Sequence, residues 1–218
     1  MKHIGKLHVL TDTVLQNRFS HIDLTRMALE GGADTIQYRQ KVGKTRERIE
    51  TALAMQALCS EAGAILIVND RVDVAIAANV DGVHLGQEDF PIEKARDLLG
   101  PDKVIGATAK TVVQIQQAVS EGADYVGFGP IYATGSKADA GDAKGLDGLS
   151  AMVQAVSVPV VAIGGIGLET AQDVMAAGAF GIALISAVCC EDDPVAATRA
   201  IAGSIGMCDQ IVGSGEQV

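Results

Sequence analysis

Eight short apolar runs, spaced by amphipathic stretches across 218 residues, predict an α/β chain closed into a (β/α)8 TIM barrel. Four of the runs share one phrase: "EGGADTIQYR", "AANVDGVHLG", "SEGADYVGFG" and "MAAGAFGIAL". In each, a helix-like ending meets a Gly or Asn stop, then a small residue and a short apolar run, which reads as a helix C-cap feeding a parallel strand. Between them lie "LHVLTD", "AILIVND", "KVIGAT" and "PVVAIGGI", and the spacers include "RERIETALAMQALCSEAG" and "TVVQIQQAVSEG". Eight strand–helix units in this length favour closure over an open doubly wound sheet. No G-x-G-x-x-G follows the first strand, which weakens a dinucleotide-binding reading.

Composition agrees. The chain is 48% hydrophobic but only 3% aromatic, with no Trp, so Ala, Val, Ile and Leu do the packing. That suits short parallel strands covered by Ala-rich helices. Residues 1–218 read as one domain, with a poorly ordered tail beyond about residue 207. A net charge of −10 argues against nucleic acid as a partner, because phosphate backbones need a basic patch. An anionic ligand must therefore be met by a few local cations. Cys59, Cys189, Cys190 and Cys208 lack metal-ligand spacing and read as reduced core cysteines. The start "MKHIGKLHVLTD" lacks a signal-peptide core, and no run reaches the ~18 apolar residues of a membrane helix, so a cytoplasmic protein without a membrane partner is expected. A homo-oligomer is compatible with the sequence, which does not fix the oligomeric state.

Barrel active sites lie at the C-terminal ends of the strands, which turns the strand list into a site list. In "QYRQK" the strand alternation puts Gln37, Arg39 and Lys41 on one face: an amide, a guanidinium and an ammonium. The third strand ends in Asn69–Asp70, and the fourth runs into Gln87, Glu88 and Asp89. The fifth ends at Thr108, with Lys110 two residues on, and the sixth leads to a long loop carrying Thr134, Ser136 and Lys137. The seventh ends in Gly164–Gly165 and the eighth in Ile185–Ser186. Arg39, Lys41 and Lys137 form a cationic set suited to phosphate. Asp70 and Asp89, from neighbouring strands, suit Mg²⁺, which binds one or two carboxylates plus substrate phosphates. Gly164–Gly165 and Ser186 match a backbone phosphate cradle. Cations at one end and a cradle at the other suggest two phosphorylated moieties. Each residue also has a plainer reading. Asp70 can N-cap the helix "RVDVAIAAN", Arg39 and Lys41 can be solvated rim charges, the Gly pair can serve packing, and His84, inside a strand, reads as a structural histidine.

Together, "QYRQK", "IVNDRVDVA", "DGVHLGQED", "IGATAKT", "DYVGFGPIYATGSK", "AIGGI" and "ISAV" resemble the thiamine phosphate synthase family from about Leu7 to Ala202. The resemblance implies a transferase that joins hydroxymethylpyrimidine diphosphate to a thiazole phosphate, releasing pyrophosphate. It implies that Gln37, Arg39, Lys41 and Asn69 hold the pyrimidine diphosphate and that Asp70 and Asp89 bind Mg²⁺. Thr108 stands in for a diphosphate-binding Ser, while Thr134, Ser136 and Lys137 contact pyrophosphate. Gly165, Ile185 and Ser186 hold the thiazole phosphate. The implied mechanism is dissociative, with Arg39, Lys41 and Lys137 as the catalytic cations and no general base required.

The chain departs from the family pattern at Ala133 (usually Pro), Ser136 (usually Thr), Lys110 (often His) and Arg71 (often Asp). Two rival functions follow from the same motifs. One is the related thiazole tautomerase, an isomerase expected to carry a His where Lys110 stands. The other is a non-catalytic paralogue that binds thiamine precursors.

Overall fold

The computed structural model describes residues 4–136 and 141–207. All eight expected strands form, as β1 Leu7–Thr11, β2 Thr35–Tyr38, β3 Ile65–Asn69, β4 Gly82–Leu85, β5 Val104–Ala109, β6 Tyr125–Phe128, β7 Val160–Ile163 and β8 Gly181–Leu184. They pair in parallel, each with the next, and β8 closes on β1 through the partners His8 and Ala183. The helices between them are α1 His21–Glu30, α2 Thr45–Ala62, α3 Val72–Ala77, α4 Ile92–Leu99, α5 Val112–Ser120, α6 Gly145–Gln154 and α7 Leu168–Ala176. A short α8, Ser186–Cys189, and α9, Pro194–Ser204, complete the described chain. No helix among the described residues is long and apolar enough to cross a membrane.

Strand alternation divides the apolar residues into two cores. Leu7, Val9, Ile36, Leu66, Val68 and Val83 face the helix layer, with Leu24 and Met55 also buried on the helices. Leu10, Ile67, Tyr125 and Val161 fill the barrel interior. Both faces of each strand are thus removed from water, which is why the strands read as nearly unbroken apolar runs.

The repeated phrase has a structural cause at each step. Its Gly or Asn falls just past the helix end with positive φ: Gly32 at 98°, Asn79 at 49°, Gly122 at 103° and Gly178 at 100°. A left-handed residue there ends the helix and turns the chain into the next strand. The Asp that follows in three of the phrases sits at the foot of the barrel, away from the C-terminal mouth. Asp34 accepts from the N–H groups of Lys6 and Leu7 (2.8 and 2.9 Å) at the start of β1. Asp81 accepts from Leu66 N–H (2.8 Å) and Asp124 from Ile105 N–H (2.8 Å). In the fourth phrase the place is taken by Phe180.

Two expectations need correction. Cys59 and Cys189 are buried free thiols, but Cys190 is exposed, because it lies just past α8 on the outer surface; Cys208 lies outside the described residues. The N-cap of α3 is Arg71, not Asp70. Asp70 takes a left-handed φ of 63°, which turns its side chain toward the mouth of the barrel. The expected loose tail beyond residue 207 lies outside the described residues, as does Lys137.

Candidate active site

At the C-terminal end of the barrel a cavity of about 480 Å³ opens between the strand ends and their following loops. Every site residue expected from the sequence lines it, except Lys137, whose position is not described. Gln37 and Asn69 are buried where β2 and β3 end, and Ile185 where β8 ends. Arg39 and Lys41 follow on the same face because the chain stays extended past Tyr38, with Arg39 N–H still bonded to Thr11 O (3.3 Å).

The cations are held by carboxylates. Arg39 is bonded through Nη1 to Asp12, and both side chains are largely buried. Asp12 is fixed from its other oxygen by the N–H groups of Val14 and Leu15 (2.8 and 3.0 Å). The Nε of Arg39 is buried with no hydrogen-bond partner among the described residues. Lys41 donates to Asp70. Burial pushes the Asp70 carboxyl above the usual carboxylate range, Lys41 pulls it back, and the neighbouring Asp89 carboxylate pushes it up again. Asp89 also accepts from Gly86 N–H (2.7 Å), which fixes it at the end of β4.

Asp70 and Asp89 therefore form an acidic pair with one cation beside it. No group of three or more His, Cys, Asp or Glu side chains suited to a metal occurs among the described residues. Two hard oxygen donors side by side, with the Asp70 carboxyl pushed up by burial and by its neighbour, fit a Mg²⁺ whose remaining ligands are water and substrate phosphate.

Three further groups complete the wall. Thr108 Oγ1 lies 2.9 Å from His84 Nε2, and Tyr125 Oη 3.0 Å from His84 Nδ1, so both ring nitrogens of that histidine are engaged. Gln87 Nε2 donates to Thr108 O (2.6 Å), tying the β4 loop to the end of β5. Ser136 Oγ donates to Ser186 Oγ (3.2 Å), so the loop after β6 reaches across to β8. Gly164 and Gly165 have φ of 97° and 68°. A Cβ on Gly164 would meet Pro130 at 2.5 Å, and one on Gly165 would meet Tyr132 at 2.7 Å. The Gly pair thus lets this loop lie directly on the end of β7, so its packing role is real and compatible with lining the cavity.

Among the departures from the family pattern, Arg71 forks onto Asp73 (Nε–Oδ1 2.8 Å) and Thr45 (2.9 Å), outside the cavity, and locks the first turn of α3 to α2. Lys110 lines the cavity. Sequence reasoning missed Asp12 and Tyr125. The strand-end rule would have found Asp12, the residue following β1. Tyr125 gave no such signal, since it begins an apolar strand as a core residue would.

A closed eight-stranded parallel barrel with cations and paired carboxylates at its C-terminal mouth has the layout of a barrel enzyme with its active site at the strand ends. A family model described as thiamine monophosphate synthase matches residues 7–188, and the chain belongs to that family. A thiamine-phosphate synthase of Salinibacter ruber is 46% identical over 204 residues, 94% of this chain and 90% of that one. One of Chloroflexus aurantiacus is 52% identical, covering 89% of each chain. The solved thiamine phosphate pyrophosphorylase of Pyrococcus furiosus superposes with a TM-score of 0.84 at 42% identity, over 92% of this chain and 95% of that one.

Proposed function

We propose that this chain is a transferase that condenses hydroxymethylpyrimidine diphosphate with thiazole phosphate to give thiamine phosphate and pyrophosphate. The observation that carries the reading is the corner formed by Lys41, Asp70 and Asp89, where one cation and two carboxylates meet on the same cavity as Arg39. The relatives named above bear the synthase name, and the isomerase alternative gains no support from them.

The reaction breaks the bond between the pyrimidine methylene carbon and a diphosphate oxygen, then forms a bond from that carbon to the thiazole nitrogen. The bonding electrons leave with the diphosphate, so stabilising its charge is the main task. Arg39 is prealigned for it by Asp12, and Lys41 stands at the acidic pair. Lys137 is assigned the same task on the resemblance of its loop alone. Asp70 and Asp89 would hold Mg²⁺, which would neutralise diphosphate charge when bound. Gln37 and Asn69, buried at the inner end of the cavity, are suited to the pyrimidine edge. Gly165, Ile185 and Ser186, on the opposite side, are suited to the thiazole phosphate. Thr134 and Ser136 are joined to each other (3.3 Å) and offer hydroxyls to the departing pyrophosphate. No strong base is needed, because the thiazole nitrogen attacks through its lone pair; positioning and electrostatics carry the rate.

The test is a turnover assay with both substrates and Mg²⁺, following thiamine phosphate. Product at catalytic turnover supports the proposal; tight binding without product makes the chain a binding paralogue. The proposal includes a cytoplasmic location, which cell fractionation tests.

A further inference from the structure

Three polar residues on three adjacent strands, His84, Thr108 and Tyr125, form one device inside an apolar barrel. His84 on β4 and Tyr125 on β6 are both register partners of Gly106 on β5, and Thr108 on β5 is the partner of Gly127 on β6. The two glycines make the room. A Cβ on Gly106 would lie 2.2 Å from the Tyr125 ring, and one on Gly127 would lie 3.0 Å from His84 Cε1. Without Gly106 the tyrosine could not lie across β5 to reach the histidine. The resulting line runs from Tyr125 Oη to His84 Nδ1 (3.0 Å), then from His84 Nε2 to Thr108 Oγ1 (2.9 Å), and ends at the cavity wall.

The direction of the protons along this line follows from its closed end. Tyr125 is 1% exposed, and His84 is its one hydrogen-bond partner among the described residues. A buried phenol must donate its proton or leave it unsatisfied. Burial also pushes the Tyr125 phenol well above its usual range, so the proton stays on oxygen. Nδ1 of His84 therefore accepts, and the ring carries its proton on Nε2. That N–H points at Thr108 Oγ1, whose lone pair it occupies. The hydroxyl proton of Thr108 is then left to point into the cavity.

We propose that Tyr125 and His84 are positioning residues that fix the Thr108 hydroxyl as a donor to a diphosphate oxygen of the substrate. This rests on the diphosphate reading of the cavity above. With the opposite tautomer, Thr108 would donate to Nε2 and present only lone pairs to an anion, which repels it. The histidine thus sets the polarity of the hydroxyl it bonds.

The experiment has two arms that fail separately. In the first, side-chain ¹⁵N spectra of the full chain read the His84 tautomer directly. The Nε2–H form is expected in the wild type, with Tyr125→Phe shifting the ring toward the Nδ1–H form. A wild-type ring protonated on Nδ1 overturns the proposal. The second arm measures the affinity for inorganic pyrophosphate in magnesium buffer. Tyr125→Phe and Thr108→Val are each expected to weaken it by about 10-fold, the effect of losing one good hydrogen bond. The double variant should be no weaker than either single one. His84→Gln, which keeps an N–H near the Nε2 position, should retain more affinity than His84→Leu. That comparison also serves if Tyr125→Phe folds poorly. A purely structural tyrosine would give additive losses, or none in pyrophosphate affinity, and either result overturns the proposal. If the wild type binds no pyrophosphate, the diphosphate reading falls, and with it the role given to Thr108.

Discussion

Asp12 grips Arg39 from beneath the cavity, one carboxylate oxygen on the guanidinium and the other on the N–H groups of Val14 and Leu15. The pair is almost closed off from water, so each side chain depends on the other. Removing one member of a buried pair leaves an uncompensated charge, at a cost of about 3–5 kcal/mol. Asp12→Ala should therefore destabilise the fold by roughly this amount and raise KM for the pyrimidine diphosphate. Chemical denaturation and steady-state kinetics check the two effects. The double variant with Arg39→Met should recover part of the stability and none of the activity.

Asp70 and Asp89 stand together beside Lys41, an arrangement that leaves the carboxylates short of positive charge until a cation arrives. Chelation with excess EDTA should abolish thiamine phosphate formation, and restoring Mg²⁺ should return it. Asp70→Asn should lose most turnover while the melting temperature stays unchanged or rises, because a raised carboxyl is replaced by a neutral amide. Full turnover in chelator would remove the metal from the mechanism.

Lys137 has a different signature. A cation that meets charge developing on the departing diphosphate acts on the transition state more than on the bound substrate. Lys137→Ala should lower single-turnover chemistry about 100-fold, equivalent to ~3 kcal/mol, with a smaller change in substrate affinity. Wild-type chemistry with weakened binding would make it an anchor instead.

His8 supplies the pH dependence. It is buried in the barrel with Nε2 2.8 Å from Gly5 O, and burial holds its pKa below the usual 6.5. His21, buried between Thr11 and Tyr38, is lowered for the same reason. The unfolded chain therefore binds more protons than the folded one just below pH 6.5. Stability attributable to these groups is full above that value and declines as pH falls, by up to about 1.4 kcal/mol per group for each pH unit. Denaturation midpoints at pH 7.5 and 5.5 should differ accordingly, and His8→Gln should flatten the difference. An unchanged slope in that variant would assign the dependence elsewhere.

Much of this was legible in the sequence because the signals were periodic or positional. Strand bodies are apolar on both faces, so each polar residue at a run's end stood out, and Gln37, Asn69, Thr108 and Ser186 do meet at one mouth. What the sequence hid depends on reach across strands. Nothing in "TDT" says that Asp12 crosses to Arg39, and nothing in "ADYVG" says that Tyr125 lies over a glycine of the preceding strand. Local preference misled at Asp70, where an Asp before a helix suggested a cap. The left-handed backbone there sends the carboxylate to the cavity instead.

The foot of the barrel bears on how the mouth can move. Asp34 holds β1 through its carboxylate and β3 through its carbonyl, which accepts from Ile65 N–H (3.1 Å). Asp81 does the same for β3 and β5, its carbonyl accepting from Val104 N–H (2.9 Å), and Asp124 grips β5 from β6. These acids form a girdle that runs unbroken from β1 to β6 and stops there, because Phe180 stands where a fourth would be. Among the described residues, the last quarter of the ring, β7 and β8, is laced at this level by backbone. It is also the quarter that carries Gly165 and Ser186, so the carboxylate-braced part of the wall carries the acidic corner and the unbraced part lies opposite. A ring built this way can breathe on one side while Arg39, Asp70 and Asp89 keep their places.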